Sequence, residues 1–508
     1  AGTQQLGNLI VIWDDNEISI EGDTNIAFTE DTAARYQALG WDVRTVDWTN
    51  GGTDYVENLK ELKDAIVAGQ QVTDKPTFIQ LRTVIAWPTP GKSGDHAAHG
   101  SALGDQPISG LKDILGFDTE KTFEVDDEAL AHARKLIDRG AEKHREWDAK
   151  LDEWRAANPD AAALYDRLIA RELPEDLDAA LPVFEVDDKG LATRAASGQV
   201  LGALAPVMPE LWGGSADLAG SNNTTMKGEA SFIPEANQTK DFQGNPYGRT
   251  LHFGIREHAM GAILSGISLY GLTRPYGGTF FQFADYMRGS VRLASLCKTP
   301  AIYVWTHDSI GLGEDGPTHQ PVEHLSALRA IPNMRVFRPC DAVETAECWE
   351  LALNRVDGPT VLALTRQNLP QLRTTAPNDN PCSHGAYELV AAQGEAKVSL
   401  FASGSEVQIA VEAQKQLAGR GIATRVVSVP SLELLLAQPA ERQNAIIGKA
   451  PVKIAIEAAV RWGWDAVIGH DGEFIGMHGF GASAPAKDLF PHFGITAEAV
   501  VNAATKRV

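Results

Sequence analysis

The chain has 508 residues, 44% of them hydrophobic, with 47 Gly, 26 Pro and ordinary charge content, a size and balance that call for a large core divided over about three globular domains. A formal net charge of -22 argues against nucleic acid or an anionic membrane as partner, because either is repelled over most of the exterior, so an anionic substrate must be held by local Arg and His. Cys297, Cys340, Cys348 and Cys382 show no CxxC spacing and read as buried structural thiols of a reducing cytosol, no apolar run reaches the roughly 20 residues of a membrane span, and no signal region opens the chain, so the predicted location is cytoplasmic.

QQLGN, at the start, reads as the last turn of a helix with Gly7 as C-cap, which places the first residue in the middle of a domain. A buried strand, Leu9 to Trp13, leads into the polar turn Asp14-Asp15-Asn16-Glu17-Ile18, at the carboxyl end of a strand where open α/β sheets place ligands. Unaided, this turn is an Asx turn; Asn16 also offers a side-chain oxygen and Ile18 a backbone oxygen to a cation. A helix near Thr32 to Leu39, a strand Asp42 to Asp47, a helix Tyr55 to Ala68 and a strand Pro76 to Arg82 continue a βαβ rhythm, hence a parallel sheet. The loop TPGKSGDHAAHGSAL carries His96 and His99; the pair lacks a third ligand for zinc and reads as a functional loop. Long charged helices from about Asp126 to Arg171 read as solvent-facing, and Pro174 and Pro182 lie in a linker that closes the first domain.

A second α/β block opens near Ala192. Its Arg194 is either a helix-surface residue or a ligand group. In the stretch Gly248 to Gly289, Glu257 stands at the first turn of a helix with a buried apolar face. After a break at Gly277-Gly278, Phe280, Phe283 and Tyr286 fall at i, i+3 and i+6 and stack along a second helix, as core or as the wall of a site for a flat heterocycle. The strand Ala301 to Thr306 ends at His307 and opens the Gly-rich run DSIGLGEDGPTHQPVEH, so that His307, Glu314, Asp315, His319 and His324 cluster beyond one strand end. The strand Thr360 to Thr365 runs straight into Arg366, a guanidinium suited to bidentate phosphate binding. A third block, about Pro377 to Val508, repeats the α/β alternation without an acid/base constellation and reads as a packing and dimerisation domain.

The motifs WDDNEISIEG, HAAHGS, ATRAASG, GGSADLAGSN, GIREHAMGA, GGTFFQF, THDSIGLGEDGPTHQP, TRQNLPQ and FGASAP, taken together and in order, resemble the transketolases, thiamine-diphosphate enzymes. The resemblance runs from partway through that family's first domain to its end. It implies three consecutive α/β domains with mainly parallel sheets: 1-175 as the later part of the diphosphate-binding domain with a helical linker, 176-376 as the pyrimidine-binding domain and 377-508 as the C-terminal domain. It further implies thiamine diphosphate and Mg²⁺ (or Ca²⁺) as cofactors, with Asn16 and the Ile18 carbonyl on the metal. His99 is then expected over the reacting carbon, Asp217 near the cofactor, and Phe280, Phe283 and Tyr286 around the aminopyrimidine. Arg194, Ser221, His307 and Arg366 are expected to hold the sugar phosphate or its hydroxyls, with Asp315 and His319 reading hydroxyls near the cleaved bond.

Under that resemblance Glu257 is the acid at the aminopyrimidine nitrogen, which aromatic walls would keep protonated, and His99 and His307 help move hydroxyl protons while a two-carbon ketol unit passes from a ketose phosphate to an aldose phosphate. The family pattern implies a homodimer with active sites at the subunit interface, acting on sugar phosphates in the pentose phosphate pathway and Calvin-cycle-type metabolism. The family's GDG motif would precede Ala1 and is not in the sequence, so the chain alone is expected to bind diphosphate poorly. The alternatives are a deoxyxylulose-phosphate synthase-like enzyme and an inactive fragment serving as a dimerisation or binding module.

Overall fold

A computed structural model describes residues 1–52, 54–186, 189–373 and 380–508. They form two compact units, Ala1–Asn158 with Ile233–Thr239, and Pro159–Phe232 with Lys240–Val508. The domain boundary expected at 376/377, and the Pro377 start of the third block, lie outside the described residues.

In the first unit a three-stranded parallel sheet has Thr77–Arg82 at its centre, flanked by Ile10–Asp15 and Asp42–Asp47. The helices Thr32–Ala38 and Leu59–Gln70 start where side chains satisfy orphan amides, Asp31 accepting from Ala34 N at 2.9 Å and Asn58 from Glu61 N at 3.1 Å. Phe78, on the central strand, stacks on Tyr36 with ring centroids 3.9 Å apart, fixing the first of these helices to the sheet. Two expectations fail here. Residues 2–5 form a turn with Gln5 at φ 52° instead of a helix end. The strand expected to be buried is an edge strand, half-buried with Ile12 44% exposed, because a partner covers it on one side only. The 31-residue helix Asp127–Ala157 buries no residue within its unit, as its charged pattern requires.

The second unit is built on an eight-stranded sheet in which every described pairing is parallel. Across its middle the order is Arg335–Phe337, Thr360–Leu364, Ile302–Thr306, Arg274–Phe280, Leu211–Ser215 and Thr250–His252. Arg274–Phe280, Ile302–Thr306 and Thr360–Leu364 are buried at every residue; the last two read as strands because they are apolar runs without alternation, whereas RPYGGTF carries no such run. Gly277 and Gly278 do not break the chain before a helix. They are the middle of a strand, where a Cβ would stand 2.5 Å from Leu264 Cδ1 and 2.7 Å from Thr224 Cγ2, so the helix Glu257–Tyr270 on one face and the loop after Asn222 on the other press directly on bare backbone.

A five-stranded sheet follows, ordered Tyr387–Val390, Thr424–Ser428, Val398–Ala402, Val452–Glu457 and Glu473–Gly476, parallel except for its first strand. Of the four thiols expected to be buried, three are; Cys297 is exposed, just beyond the helix Arg288–Leu296.

The two sheets of this unit meet around Arg338, which has no exposed surface. Its Nε donates to Asp308 Oδ2 at 2.8 Å and its Nη1 to Ser403 O at 3.0 Å and to Glu406. Arg329 pairs with the fully buried Glu457 through two bonds of 2.8 and 2.9 Å. Burial raises the Glu457 pKa, but the Arg329 charge overrides it and holds the carboxyl down at about 2. Substituting Arg338→Met should leave Asp308 and Glu406 buried without their cation and cost about 3–5 kcal/mol. Urea titration followed by fluorescence checks this; an unchanged first unfolding midpoint would show that the cluster contributes nothing net.

Candidate active site

Within the first unit, Asp14, Asn16, Ile18, Arg82 and His99 line one cavity of about 550 Å³. Asn16 makes the Asx turn read from the sequence, its Oδ1 accepting from Ile18 N at 3.0 Å, and an amide oxygen with two lone pairs keeps one for a further partner. The turn is anchored by groups that sequence reasoning missed. Asp15, 5% exposed, accepts from Gln80 Nε2 at 2.6 Å and Arg82 Nη1 at 2.8 Å, and Arg82 also pairs with Glu17 at 2.7 Å. Oxygen donors around a roomy polar cavity fit a hard divalent cation with a diphosphate. His99 lies on an exposed loop just after the short turn His96–Ala98, whose first amides are capped by Asp95.

In the second unit the site is a consequence of sheet order. Three neighbouring strands end at the same level, Leu364 and Phe280 both pairing with Thr306, and a fourth ends two residues earlier, Ser215 pairing with Gly278. Their next residues are therefore delivered to one edge, where open parallel sheets bind ligands. From one strand to the next they are Arg366, His307, the aromatic segment after Phe280, and Asp217. Asp217 and His307 both sit at positive φ, 62° and 65°, turning the chain sharply out of the sheet.

Arg194 reaches the same edge from the first turn of the helix Thr193–Leu204. That turn is tied to the strand end by reciprocal bonds, Thr193 N to Thr365 Oγ1 at 3.1 Å and Thr365 N to Thr193 Oγ1 at 2.8 Å. Arg194 in turn donates to the Ser221 carbonyl at 2.7 Å. Arg194, Arg366 and His319 all bear on His307, whose imidazole is 3% exposed; burial first, then these charges, push its pKa down to about 3. Burial and the nearby Arg366 also lower the pKa of Arg194. Two guanidiniums, of which Arg366 has Glu314 at 3.8 Å and Arg194 a carbonyl partner, stand with a neutral imidazole and suit an anion.

The aromatic stripe is real, but its geometry differs from the expected α-helix. Phe280 ends the strand, and Phe283 and Tyr286 lie on the 3₁₀ segment Phe281–Met287, whose three-residue turn eclipses i and i+3. Ring centroids are 5.6 Å apart for Phe280–Phe283 and 5.7 Å for Phe283–Tyr286, and Tyr286 is 67% exposed. Phe280 also lies 4.3 Å from the His307 ring and Phe283 5.4 Å from that of His319. Glu257, 7% exposed, is the first residue of the helix Glu257–Tyr270, which packs against the 3₁₀ segment. An open aromatic stack with a buried carboxyl group on the adjoining helix fits an aminopyrimidine.

The loop carrying Glu314, Asp315 and His319 is braced from the third block, for which the sequence suggested only packing and dimerisation. Gln320 Nε2 bridges the Gly313 carbonyl and the Ala482 carbonyl, each at 2.9 Å, and Ser483 Oγ donates to the Glu314 carbonyl. The FGASAP motif is this brace. Arg366 touches the loop too, donating to Leu312 O at 3.2 Å, with Glu314 3.8 Å away.

Comparison with known proteins agrees with this arrangement over the whole length. Residues 1–174 match the transketolase thiamine diphosphate binding domain, 189–371 the transketolase pyrimidine binding domain and 385–496 the transketolase-like C-terminal domain. The transketolase of Mycobacterium tuberculosis is 54% identical over 514 residues, covering 100% of this chain and 72% of that protein. That of Geobacillus stearothermophilus is 42% identical, covering 99% and 73%. Among solved structures, Pichia stipitis transketolase in complex with sedoheptulose-7-phosphate superposes with a TM-score of 0.93 at 40% identity, covering 100% of this chain and 73% of the other. Leishmania mexicana transketolase gives 0.91 at 40%, covering 100% and 72%.

The His307 environment has a consequence for acid stability. Its folded pKa, about 3, lies below the ordinary 6.5, so its contribution is present above pH 6.5 and is lost as the pH falls from 6.5 towards 3, where only the unfolded chain takes up the proton. His307→Gln should therefore lose less Tm than the unaltered protein between about pH 7 and about pH 5. Differential scanning calorimetry at the two pH values checks this, and parallel losses in both proteins would refute it.

Proposed function

The chain belongs to the transketolase family, thiamine-diphosphate-dependent transferases of two-carbon ketol units, and from that premise we propose how its residues divide the work. The observation that carries the reading is the convergence of Arg194, Arg366, His307 and His319 beside Phe280 and Phe283, an anion site against an aromatic wall. The donor is a ketose phosphate such as xylulose 5-phosphate and the acceptor an aldose phosphate such as ribose 5-phosphate, the exchange of the pentose phosphate pathway and of Calvin-cycle-type sugar phosphate metabolism. Arg194, Ser221, His307 and Arg366 hold the phosphate end, while Asp315 and His319 read hydroxyls nearer the cleaved bond. His99 and His307 serve the sugar oxygens, holding or passing protons.

When bound, thiamine diphosphate supplies the nucleophilic thiazolium carbon. Asn16 Oδ1 and the Ile18 carbonyl provide oxygens for a Mg²⁺ or Ca²⁺ on the diphosphate, Asp217 lies near the cofactor, and Phe280, Phe283 and Tyr286 flank its aminopyrimidine. Glu257 holds a proton at the pyrimidine nitrogen. The domain assignment that goes with these roles is 1-175, 176-376 and 377-508.

A homodimer with active sites at the subunit interface is part of the same proposal. It is supported by the helix Glu257–Tyr270 and its surroundings, which leave Ile255 77%, Ile263 48%, Tyr270 77% and Tyr286 67% exposed, an apolar face suited to a second copy. Among the described residues no helix is long and apolar enough to cross a membrane; the proposed location is the cytoplasm.

The test is ketol transfer from xylulose 5-phosphate to ribose 5-phosphate with added thiamine diphosphate and Mg²⁺. Glu257→Gln should lower the cofactor-dependent rate by about 10²–10⁴-fold with an unchanged circular dichroism spectrum. A rate equal to that of the unaltered protein would remove Glu257 from its role.

A further inference from the structure

Behind His307 runs a chain of buried hydrogen bonds that decides what its imidazole can offer a ligand. The Asn222 amide nitrogen donates to the Thr279 carbonyl at 3.2 Å and to Thr306 Oγ1 at 2.5 Å, while Ser215 Oγ approaches Asn222 Oδ1 at 3.0 Å. Turned over, the amide would set its oxygen against the Thr279 carbonyl, so its orientation is fixed by its neighbours. Thr306 Oγ1 therefore accepts from Asn222. The Thr306 hydroxyl proton must go elsewhere, and the partner in place is His307 Nδ1, 2.9 Å away. Asn222 and Thr306 have no exposed surface, so the reverse arrangement, with Nδ1–H donating to Oγ1, would bury a hydroxyl proton without an acceptor.

We propose that Asn222 and Thr306 are positioning residues that fix His307 in one neutral tautomer, Nδ1 unprotonated and Nε2 carrying the proton, so that it meets a ketose phosphate as a hydrogen-bond donor. The inference rests on the functional reading above and refines it. Of the two roles given to His307 there, it keeps the one at the phosphate end, as a hydrogen-bond donor, and proton passage falls to His99. The charge around it agrees. Arg194 and Arg366 already supply two positive charges, and a third cation beside them would be repelled, whereas a neutral N–H adds a directed bond to a phosphate oxygen without that repulsion. The segment between supports the same geometry: His307 at φ 65° turns its ring off the sheet edge against Phe280, which leaves little rotational freedom to exchange the two nitrogens.

Nitrogen-15 spectra of histidine-labelled protein, with the His307 signals assigned by their loss in His307→Gln, read the tautomer directly. The expected result near neutral pH is an unprotonated Nδ1 and a protonated Nε2; an Nδ1–H tautomer or an imidazolium overturns the proposal. Thr306→Val keeps the shape of the side chain and removes the hydroxyl. It should raise KM for a phosphorylated ketose about tenfold with kcat changed less than about threefold. KM for an unphosphorylated ketol donor should be unchanged, and Thr306→Ser should restore the phosphorylated substrate. Equal effects on both donors, or none, count against the proposal. If Thr306→Val does not fold, the spectrum of the unaltered protein still decides. Absence of ketol transfer in the unaltered protein would count against the functional reading and leave the tautomer result standing.

Discussion

The buried guanidinium of Arg338 is the constraint on which the second unit depends. It follows the edge strand Arg335–Phe337 of one sheet and binds Ser403 and Glu406, which follow the strand Val398–Ala402 of the other. Its third partner, Asp308, is the residue next to His307. One cation therefore joins both sheets to the start of the loop that carries the candidate chemistry. Apolar packing alone would hold the two sheets together, but it would tolerate sliding. A charge with three fixed acceptors does not, because any shift leaves a buried charge unpaired. The close approach is built into the backbone: Gly404 sits at φ 53°, where a Cβ would stand 2.8 Å from the Arg338 side chain.

From that fixed frame the site follows with few further requirements. Parallel strands in register end together, so residues 86 positions apart in sequence, such as Phe280 and Arg366, arrive at one edge without any contact between them being specified. What must be specified is direction. Positive φ at Asp217 and His307 turns the chain out of the sheet, and the reciprocal Thr193–Thr365 bonds set two arginines side by side. Bringing like charges together costs free energy in the absence of a ligand, which an incoming phosphate repays. On a chain whose net charge is -22, this local concentration of positive charge is suited to an anionic substrate.

Much of this was legible in the sequence, and the rest was hidden for identifiable reasons. Ile302–Thr306 and Thr360–Leu364 were clear because fully buried parallel strands are continuous apolar runs, and the partly buried Asp42–Asp47 was placed to the residue from the βαβ rhythm. The aromatic stripe was found, yet a three-residue spacing satisfies an α-helix and a 3₁₀ helix equally, and only the tertiary context chose the second. Gly277-Gly278 looks like a break because glycine usually punctuates, and nothing local says that a helix will press on the strand there. Chain-end effects misled at Gly7 and Leu9, where a short apolar run cannot distinguish a central strand from an edge strand. Asn222 and Thr306 were invisible as functional residues. Their importance comes from being second in line behind His307, at a separation of 84 residues, and residue type alone carries no mark of that. The SNNT and THDS contexts were the available signals, since a polar residue entering or leaving an apolar strand must find a partner.

The C-terminal block shows why absence of chemistry is a poor guide to role. Among its described residues it holds no cluster of acids and bases aimed at a ligand, and its five-stranded sheet is packed with Val, Ile, Leu and Ala. But the loop from Asp308 to Gln320 has only a three-residue 3₁₀ turn of its own, Ile310–Leu312, and glycines at 311, 313 and 316. Such a segment left to itself would sample many conformations, and each ordered residue costs about 1–2 kcal/mol of backbone entropy. Gln320 and Ser483 meet that cost with bonds to backbone carbonyls, and the Ala482–Ala484 strip lies against Gly313 and Gly316, where a Cβ on Gly316 would stand 3.2 Å from Ser483 Cβ. Asp315 and His319 therefore owe their positions to a block in which the sequence shows no acid/base constellation. The same logic holds for Asn222 behind His307 and for Arg338 behind both: the groups proposed to meet substrate are few, and their placement is set one layer further in.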